Sequence, residues 1–245
     1  MTKNLTGYRR KNITGKYYEV LEYVNAKKVL VRFEATGTEK WCAAKEVRNG
    51  SIKDLNSPTV CGVGVLGVGY SPKSSPKAYE CWRGMLRRCY VEQNNKDWLR
   101  YGGKGCTVSE EWHNFQTFHK WYTSNARDGY DLDKDIILQG NTVYSPKFCN
   151  MIPASLNKML TFTDNLRNGK LGTFYNKDMY KWAAVVQTHL DGKVLEYFSS
   201  EQKAYEFYCK ERTKSIRNAA DYYYDRGEIS EKVREGLYNF DVTLK

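Results

Sequence analysis

The sequence predicts an α+β fold built from small modules that follow one another along 245 residues. Short stretches that alternate apolar and polar residues fill the beginning of the chain, and apolar stripes at helical spacing follow them. A second group of short strands begins near residue 170 and is followed by helical sequence to the end. These shifts predict four segments, at residues 1–70, 71–167, 168–215 and 216–245.

The chain is strongly basic, with 39 Lys and Arg against 28 Asp and Glu and a net charge of +11. Such an excess bears on partners and solubility rather than on fold, and a polyanion is the simplest partner. Composition alone leaves open the alternative of a basic protein without a specific partner.

The cysteines indicate an intracellular protein without a zinc site. Seven are scattered without Cys-x-x-Cys spacing, and only three histidines accompany them. This usage is typical of reduced, buried thiols in a cytoplasmic protein. The chain opens without the apolar segment of a signal peptide, and no apolar run reaches membrane-spanning length, so we expect no membrane partner.

Residues 1–70 predict a small β-barrel-like module or meander. The segments YYEVLEYV, KKVLVRFEAT and EKWCAAKEV alternate like strands, and turn signals separate them at Asn25-Ala26, Thr36-Gly37 and Asn49-Gly50. The glycine-rich end, CGVGVLGVGYSPKSSP, predicts a linker. It lacks the Lys-Ser/Thr pair of a phosphate-binding loop, so no nucleotide site is expected.

The second segment begins with a predicted helix that Ser75 and Pro76 start. Its apolar stripe has helical spacing and consists of Tyr79, Trp82, Leu86 and Cys89. Arg83, Arg87 and Arg88 lie off this stripe and form a basic face. That face is either a set of DNA phosphate contacts or an ordinary solvated surface.

A second helix is expected after Ser109, with Glu110 and Glu111 in its first turn. The loop before it, YGGKG, contains three glycines and Lys104. Glycines permit positive φ and bring backbone N–H groups close to a phosphate, so the loop is a candidate phosphate contact. The alternative is a tight turn between two helices. His113 and His119 are expected to be exposed or structural.

The third segment predicts three strands, LGTFY, YKWAAVVQT and VLEYF, joined by turns at 176–178 and 191–192. Ser199 with Gln202 three residues later predicts the start of a helix. The remaining tail predicts one or two further helices that are interrupted at Gly227.

The second segment resembles a phage family related to HNH homing endonucleases. The resemblance rests on YECWRGMLRRCY, YGGKGCTVSEEWHNFQTFHKWY and LDKDIILQGNTVYSPKFCNMIPASLNKM, which occur in that order over roughly ninety residues. It implies a ββα motif that holds one divalent metal ion, Mg²⁺ or Mn²⁺, and hydrolyses DNA.

Carried over to this sequence, the family motif assigns catalytic positions in LDKDI. Asp133 matches the acidic residue of the first strand, and Asn157 matches the asparagine of the helix, so both are candidate metal ligands. Lys134 stands where the family has a histidine general base, and a lysine serves as a base only with a strongly depressed pKa. Asp135 is a further carboxylate. The alternative is that these residues are caps and ion-pair partners in an inactive scaffold.

The third segment resembles the DNA-binding domain of plant ethylene-response factors, through KWAA and VLEYFSSEQKAYEFY. In that family a three-stranded sheet lies in the major groove. The resemblance implies a core position for Trp182 and Phe198. Val185, Gln187 and Val194 replace the family's acidic, arginine and aromatic contacts, so the plant sequence specificity is not expected. Our candidates for DNA contact are Lys177, Lys181, Gln187 and Lys193.

Three functions follow from these patterns. The first is a phage-encoded, metal-dependent DNA endonuclease whose flanking modules position double-stranded DNA. The second is a catalytically inactive DNA-binding regulator of transcription or replication, which the lysine at position 134 favours. The third is a protein-binding role, in which the N-terminal module contacts a host or phage protein. Strong salt dependence of DNA binding separates the first two from the third.

Overall fold

A computed structural model describes residues 4–93, 96–161, 170–189 and 192–244. The chain divides into two compact units, Met1–Thr123 and Ser124–Lys245, and each combines helices with small sheets. The structure is therefore of the α+β kind. The boundary expected at residues 167 and 168 lies outside the described residues, and so does Asp191 of an expected turn.

The first unit begins with a four-stranded antiparallel meander. Its strands are β1 (Arg9–Lys11), β2 (Tyr17–Asn25), β3 (Lys28–Phe33) and β4 (Glu39–Cys42), paired in chain order. One sheet face is buried, and helix α1 (Ala44–Asn49) is held to the sheet by the Tyr18 hydroxyl, which donates to the Val47 carbonyl at 2.6 Å. The sequence EKWCAAKEV was expected to be one strand. It becomes a helix after Cys42 because the Glu46 carboxylate accepts the Ala43 N–H at 2.8 Å and caps the new helix.

The glycine-rich segment is packed rather than a linker, which corrects the prediction. A Cβ on Gly64 would lie 2.6 Å from Leu86 and 2.9 Å from Trp82, so only glycine allows this backbone to approach the helix. Val65 forms a parallel bridge with Asn114. The Gln116 side chain also binds the backbone of this segment, at the carbonyls of residues 66 and 70 and the N–H of residue 70.

Helix α2 (Pro76–Tyr90) begins where the sequence predicts, with Ser75 at the N-cap, and it buries Trp82, Leu86 and Cys89. After strand β5 (Thr107–Val108), the next helix begins later than predicted. Residues 110–113 form only a 3₁₀ turn, and α3 (Phe115–Asn125) starts after Asn114, whose side chain accepts the N–H of Gln116 at 2.8 Å. This Asn side chain, together with the bridge to Val65, ends the first turn and starts a new helix.

The second unit begins with a ββα arrangement. Strand β6 (Tyr130–Asp133) pairs antiparallel with β8 (Asn150–Pro153), β7 (Val143–Tyr144) lies in the long connection, and α4 (Ala154–Leu160) follows directly. A three-stranded antiparallel sheet then forms from β9 (Thr173–Asn176), β10 (Lys181–Gln187) and β11 (Lys193–Phe198), with β10 in the middle.

Two helices complete the second unit, α5 (Glu201–Asp225) and α6 (Glu231–Tyr238). The cap of α5 is Ser200, one residue later than expected, because its side chain accepts the Lys203 N–H. Helix α5 runs without a break past residue 215, where the tail was expected to begin, since its buried face continues through Ala219 and Tyr223. The predicted interruption at Gly227 is confirmed by its φ of 66°.

One hydrophobic core joins the parts of the second unit. It contains Ile152 and Leu156 from the ββα arrangement, Val186 from the sheet, Ile216 from α5 and Leu237 from α6. Among the described residues, the face of the three-stranded sheet that carries Ala184 and Val186 packs against this core. No helix within the described ranges has both the length and the apolar character needed to cross a bilayer.

Candidate nucleic-acid interface and ββα site

Alternation along β10 gives its sheet one covered and one open face. Ala184 and Val186 belong to the core with α5, and Trp182, Val194 and Phe198 pack against that core. Trp182 and Phe198 therefore hold the sheet to the helix, as the sequence predicts. Their neighbours in the strand point away from α5 and form the open face.

The open face has an apolar centre with polar groups at both ends. At the centre, Ala183 is fully buried between its half-buried strand partners Phe174 and Tyr197. Beside them, half-buried Val185 pairs with Leu195, which is 40% exposed. At the two ends, Lys181 pairs with Asn176, and Gln187 pairs with Lys193. The polar groups of this face are donors and acceptors, and the described pairs contain no carboxylate.

The four candidate DNA contacts of this segment are all exposed. Lys181, Gln187 and Lys193 lie on the open face, and Lys177 lies in the turn between β9 and β10. Sequence reasoning missed Phe174, Leu195 and Tyr197, although the alternation of the strands contains that signal.

Val194 does not occupy a contact position. It pairs with Val186 and packs toward α5, so its neighbour Leu195 is the residue of β11 that faces outward. Val194, where the resemblance to the plant family would place an aromatic contact, is therefore turned toward α5.

The turn between β9 and β10 displays an unusual aromatic residue. Tyr180 has a φ of 49°, a left-handed conformation that is rare for a bulky residue, and its side chain is 82% exposed. The Asn176 side chain shapes this turn by accepting the N–H groups of residues 178 and 179 at 3.0 and 3.1 Å. An exposed ring next to Lys177 and Lys181 is suited to stacking or groove contact.

A buried arginine connects the sheet to the ββα arrangement. The Arg212 guanidinium of α5 donates to the carbonyl of Gln187 at 2.8 Å and to the carbonyl of Met159, at the ends of β10 and α4. Burial lowers the pKa of Arg212 because the charged form loses water. The contact positions the last residue of β10 relative to α4.

The carboxylate of Asp133 belongs to the last residue of β6. Its Oδ1 accepts the N–H groups of Asp135 and Ile136 at 2.8 and 2.9 Å and so caps the connection that follows. Burial raises the pKa of Asp133, an effect that outweighs the opposing effect of these two hydrogen bonds.

Lys134 has structural contacts rather than the surroundings of a base. Its side chain is buried, and Nζ donates to Asp135 Oδ1 at 2.5 Å and to the carbonyl of Asn141 at 2.7 Å. In both contacts Nζ acts as a hydrogen-bond donor to an acceptor oxygen, whereas a general base must accept a proton from the reacting group. This geometry favours a structural role for Lys134 and Asp135 over catalysis.

Asn157 lies next to Asp131, a residue that sequence reasoning missed. Its Nδ2 donates to Asp131 Oδ2 at 3.2 Å, and Asp131 shares one face of β6 with Asp133, two residues on. The spacing in YDLDKD was the available signal. Carboxylate and amide oxygens suit Mg²⁺ or Mn²⁺. In the described part of the chain, however, no three His, Cys, Asp or Glu side chains form a metal-binding group.

The basic face of α2 is partly neutralised by acidic neighbours. Arg83 pairs with Glu80 at 2.7 Å and Arg87 with Asp97 at 3.4 Å, both at the surface. Arg88 is half-buried, with its guanidinium 5.3 Å from the centre of the Tyr101 ring. Arg83 and Arg87 are accessible to a phosphate, whereas Arg88 packs within the fold.

The sequence left two interpretations of the YGGKG loop, a phosphate-binding loop and a tight turn, and the structure shows a tight turn. The N–H groups of Lys104, Gly105 and Cys106 donate to carbonyls of residues 101 and 102 within the loop itself. Only Gly105 of its three glycines has positive φ, and Gly102 is required because a Cβ would lie 2.6 Å from Trp98. Exposed Lys104 remains available as a point charge.

His113 and His119 were expected to be either exposed or structural, and the structure shows that both have structural contacts. His119 is buried, its ring stacks on Tyr70 with centroids 3.7 Å apart, and its Nε2 lies 2.9 Å from the Ser75 hydroxyl. His113 Nε2 lies 3.1 Å from the Tyr90 hydroxyl.

The outward face of the meander carries aromatic rings beneath cations. Arg9 lies 4.1 Å from the ring centre of Tyr17, and Lys28 lies 4.7 Å from that of Trp41. Arg9 is also paired with Glu34 at 2.5 Å, so this face mixes both signs of charge. Binding of a host or phage protein here stays a prediction.

Comparison with known proteins assigns no family to this geometry. No protein-family model, curated protein or solved structure matches the chain. Two surfaces therefore carry the functional interpretation: the open face of β9–β11, and the ββα arrangement with Asp131, Asp133 and Asn157.

Proposed function

We propose that this protein binds double-stranded DNA through the open face of its three-stranded sheet. The observation that carries the proposal is the face of β10 that points away from α5. Its two ends are polar and carry exposed side chains: Gln187 pairs with Lys193 at one end, and Lys181 pairs with Asn176 at the other. The net charge of +11 supports a polyanionic partner.

The dimensions and chemistry of the face suit the major groove. Three strands spaced about 4.8 Å apart make a surface roughly 10 Å wide, and the groove is about 12 Å wide. The Gln187 Nε2 donates to the Gly192 carbonyl at 3.0 Å, which leaves its amide oxygen and second N–H for a base edge. The lysines offer charge to phosphates, and the apolar pair of Val185 and Leu195 suits thymine methyl groups.

A salt titration of DNA binding tests the proposal. The Lys181→Gln/Lys193→Gln double variant should lower the slope of log affinity against log salt by about 1 to 2, since each lost phosphate contact contributes about 0.9. A matched control, Lys16→Gln/Lys27→Gln, removes two exposed lysines of the meander. Equal losses in both variants would indicate nonspecific charge and would overturn the assignment to the sheet.

Metal-dependent hydrolysis of that DNA is the second candidate function, as in the endonuclease family that the sequence resembles. The observation in its favour is the ββα order of β6, β8 and α4, with Asp131 beside Asn157 and Asp133 on the same strand face. Incubation of supercoiled plasmid with Mg²⁺ or Mn²⁺ tests it. No cleavage, together with salt-sensitive binding, would favour a DNA-binding regulator.

A further inference from the structure

The outward face of α5 contains a groove on the opposite side of the helix from the sheet. It has a volume of about 610 Å³, and the C-terminal end of α6 forms one wall of it. The residues that line it include Lys210, Thr213, Lys214, Arg217, Asn218 and Tyr238. Because Ala204, Tyr208 and Ala219 bury the other side of α5, this groove and the open sheet face are separate surfaces.

Three cations follow one another along the groove. Lys210, Lys214 and Arg217 recur at spacings of four and three residues, which places them on one face of the helix, and all three are exposed. They span about 10 Å of the helix axis at 1.5 Å per residue. A DNA strand carries about three phosphates over the same length of duplex. The row of cations is thus about as long as a run of three phosphates on one strand.

The groove has little negative charge to oppose these cations. Its carboxylate, Asp221, already accepts hydrogen bonds from Arg234 at 2.8 Å and from the Tyr238 hydroxyl at 2.6 Å, and both partners lower its pKa. Glu211 lies 4.0 Å from Lys214. Across the described ranges, neither Lys210 nor Arg217 has a carboxylate within ion-pair distance.

Contacts at the far wall hold one cation in place. The Arg217 guanidinium lies 5.7 Å from the ring centre of Tyr238 and donates to the Tyr238 carbonyl at 3.4 Å. Asn218 and Thr213 add neutral hydrogen-bonding groups beside the cations. Such a row of charges with neutral donors is how proteins contact phosphate and sugar without reading bases.

We infer that the groove between α5 and α6 binds the phosphodiester backbone of nucleic acid, as a second contact surface of the C-terminal unit. The inference rests on the proposed function for its choice of nucleic acid as the partner, whereas the groove and its cations are observed independently of it. Because the sheet face and the groove lie on opposite sides of α5, one protein would hold two duplex segments. An acidic protein segment is the competing occupant. The length of the row of cations, with the neutral groups of Thr213 and Asn218 beside it, favours DNA.

The test uses the full chain and the Lys210→Gln/Lys214→Gln/Arg217→Gln triple variant. Its salt slope for a short duplex should fall by about 2 to 3, at about 0.9 per phosphate contact. A control triple variant, Lys16→Gln/Lys27→Gln/Lys45→Gln, removes the same charge from exposed positions of the first unit and should keep the wild-type slope. Circular dichroism checks that all variants fold.

A bridging assay supplies a second readout. Wild-type protein on an immobilised duplex should retain a second, fluorescent duplex, and the groove variant should lose that retention. A wild-type salt slope and unchanged bridging in the groove variant would overturn the inference. Poly-glutamate serves as a probe for an acidic protein segment. If the groove variant loses poly-glutamate binding but keeps DNA binding, the inference is also overturned. If only the Lys181→Gln/Lys193→Gln variant lowers the slope, the proposed function stands alone. If only the groove variant does, the groove inference stands and the sheet proposal fails.

Discussion

Lys134 and Asn141 bind each other reciprocally across the connection that follows β6. Lys134 Nζ donates to the Asn141 carbonyl at 2.7 Å, and Asn141 Nδ2 donates to the Lys134 carbonyl at 2.8 Å. Both residues are buried, and Asp135 completes the ion pair. The residue at the family's general-base position thus organises a loop.

Replacing Lys134 should therefore destabilise the protein. Lys134→Met leaves Asp135 and the Asn141 carbonyl without their donor, and we expect the free energy of unfolding to fall by about 3 kcal/mol. Urea denaturation measures the change. Lys158→Met, at an exposed position of α4, is the control. Unchanged stability in the Lys134 variant would contradict the structural role.

Replacing each of two glycines near α2 by alanine should change the stability of the protein in opposite directions. Gly64 contacts α2, and Gly84 lies within it. Gly64→Ala places a methyl group against Leu86 and Trp82, and overpacking of this kind costs about 1 to 3 kcal/mol. Gly84→Ala, inside α2 with its nearest atom at 4.0 Å, should stabilise by about 0.5 to 1 kcal/mol. Thermal unfolding of both variants checks the pair, and a harmless Gly64→Ala would show that the segment is not packed.

Stability should fall in mild acid because of His119. Burial lowers the pKa of His119, so the unfolded chain binds its proton more readily than the folded one. The stability that comes from burying neutral His119 is fully present above the pKa of a histidine in the unfolded chain, about 6.5. It is lost as the pH falls toward the lower pKa of the folded state. The wild type should therefore lose more unfolding free energy than His119→Gln between neutral pH and about pH 5.5. Equal pH dependence in the two proteins would contradict this assignment.

If the ββα arrangement cleaves DNA, replacing Asp131 should lower plasmid nicking as much as replacing Asp133. Asp131→Ala and Asn157→Ala each remove one side of the 3.2 Å contact, and we expect plasmid nicking to fall at least tenfold in each. Asp225→Ala, at the exposed C-terminal end of α5, is the matched control. Full activity in both site variants would move the catalytic centre elsewhere in the chain.

Local patterns predicted much of the second unit and helix α2 of the first unit. Ser75 and the stripe through Trp82 and Cys89 were correct because capping and helical periodicity depend on neighbours within a few residues. The start of α3 was predicted too early, since the bridge between Val65 and Asn114 is a contact between distant parts of the sequence. No local pattern records such a contact.

The candidate site shows the same division. The YDLDKD spacing places Asp131 and Asp133 on one face of a strand, but the partner of each carboxylate was not predictable. Asn157 lies beside Asp131 because α4 follows β8 directly, and Lys134 is buried because the loop closes over it. Both outcomes depend on how the ββα arrangement packs.

The sequence by itself determined helix α2, the three strands β9 to β11, the alternation of their two faces and the excess of positive charge. Only the tertiary structure decided which face of β10 is covered, that Gly64 lies against α2, and that the cations of α5 line a groove with Tyr238. The physical reason is that alternation and periodicity are local properties of a strand or helix. Burial, by contrast, depends on which distant element packs against each face.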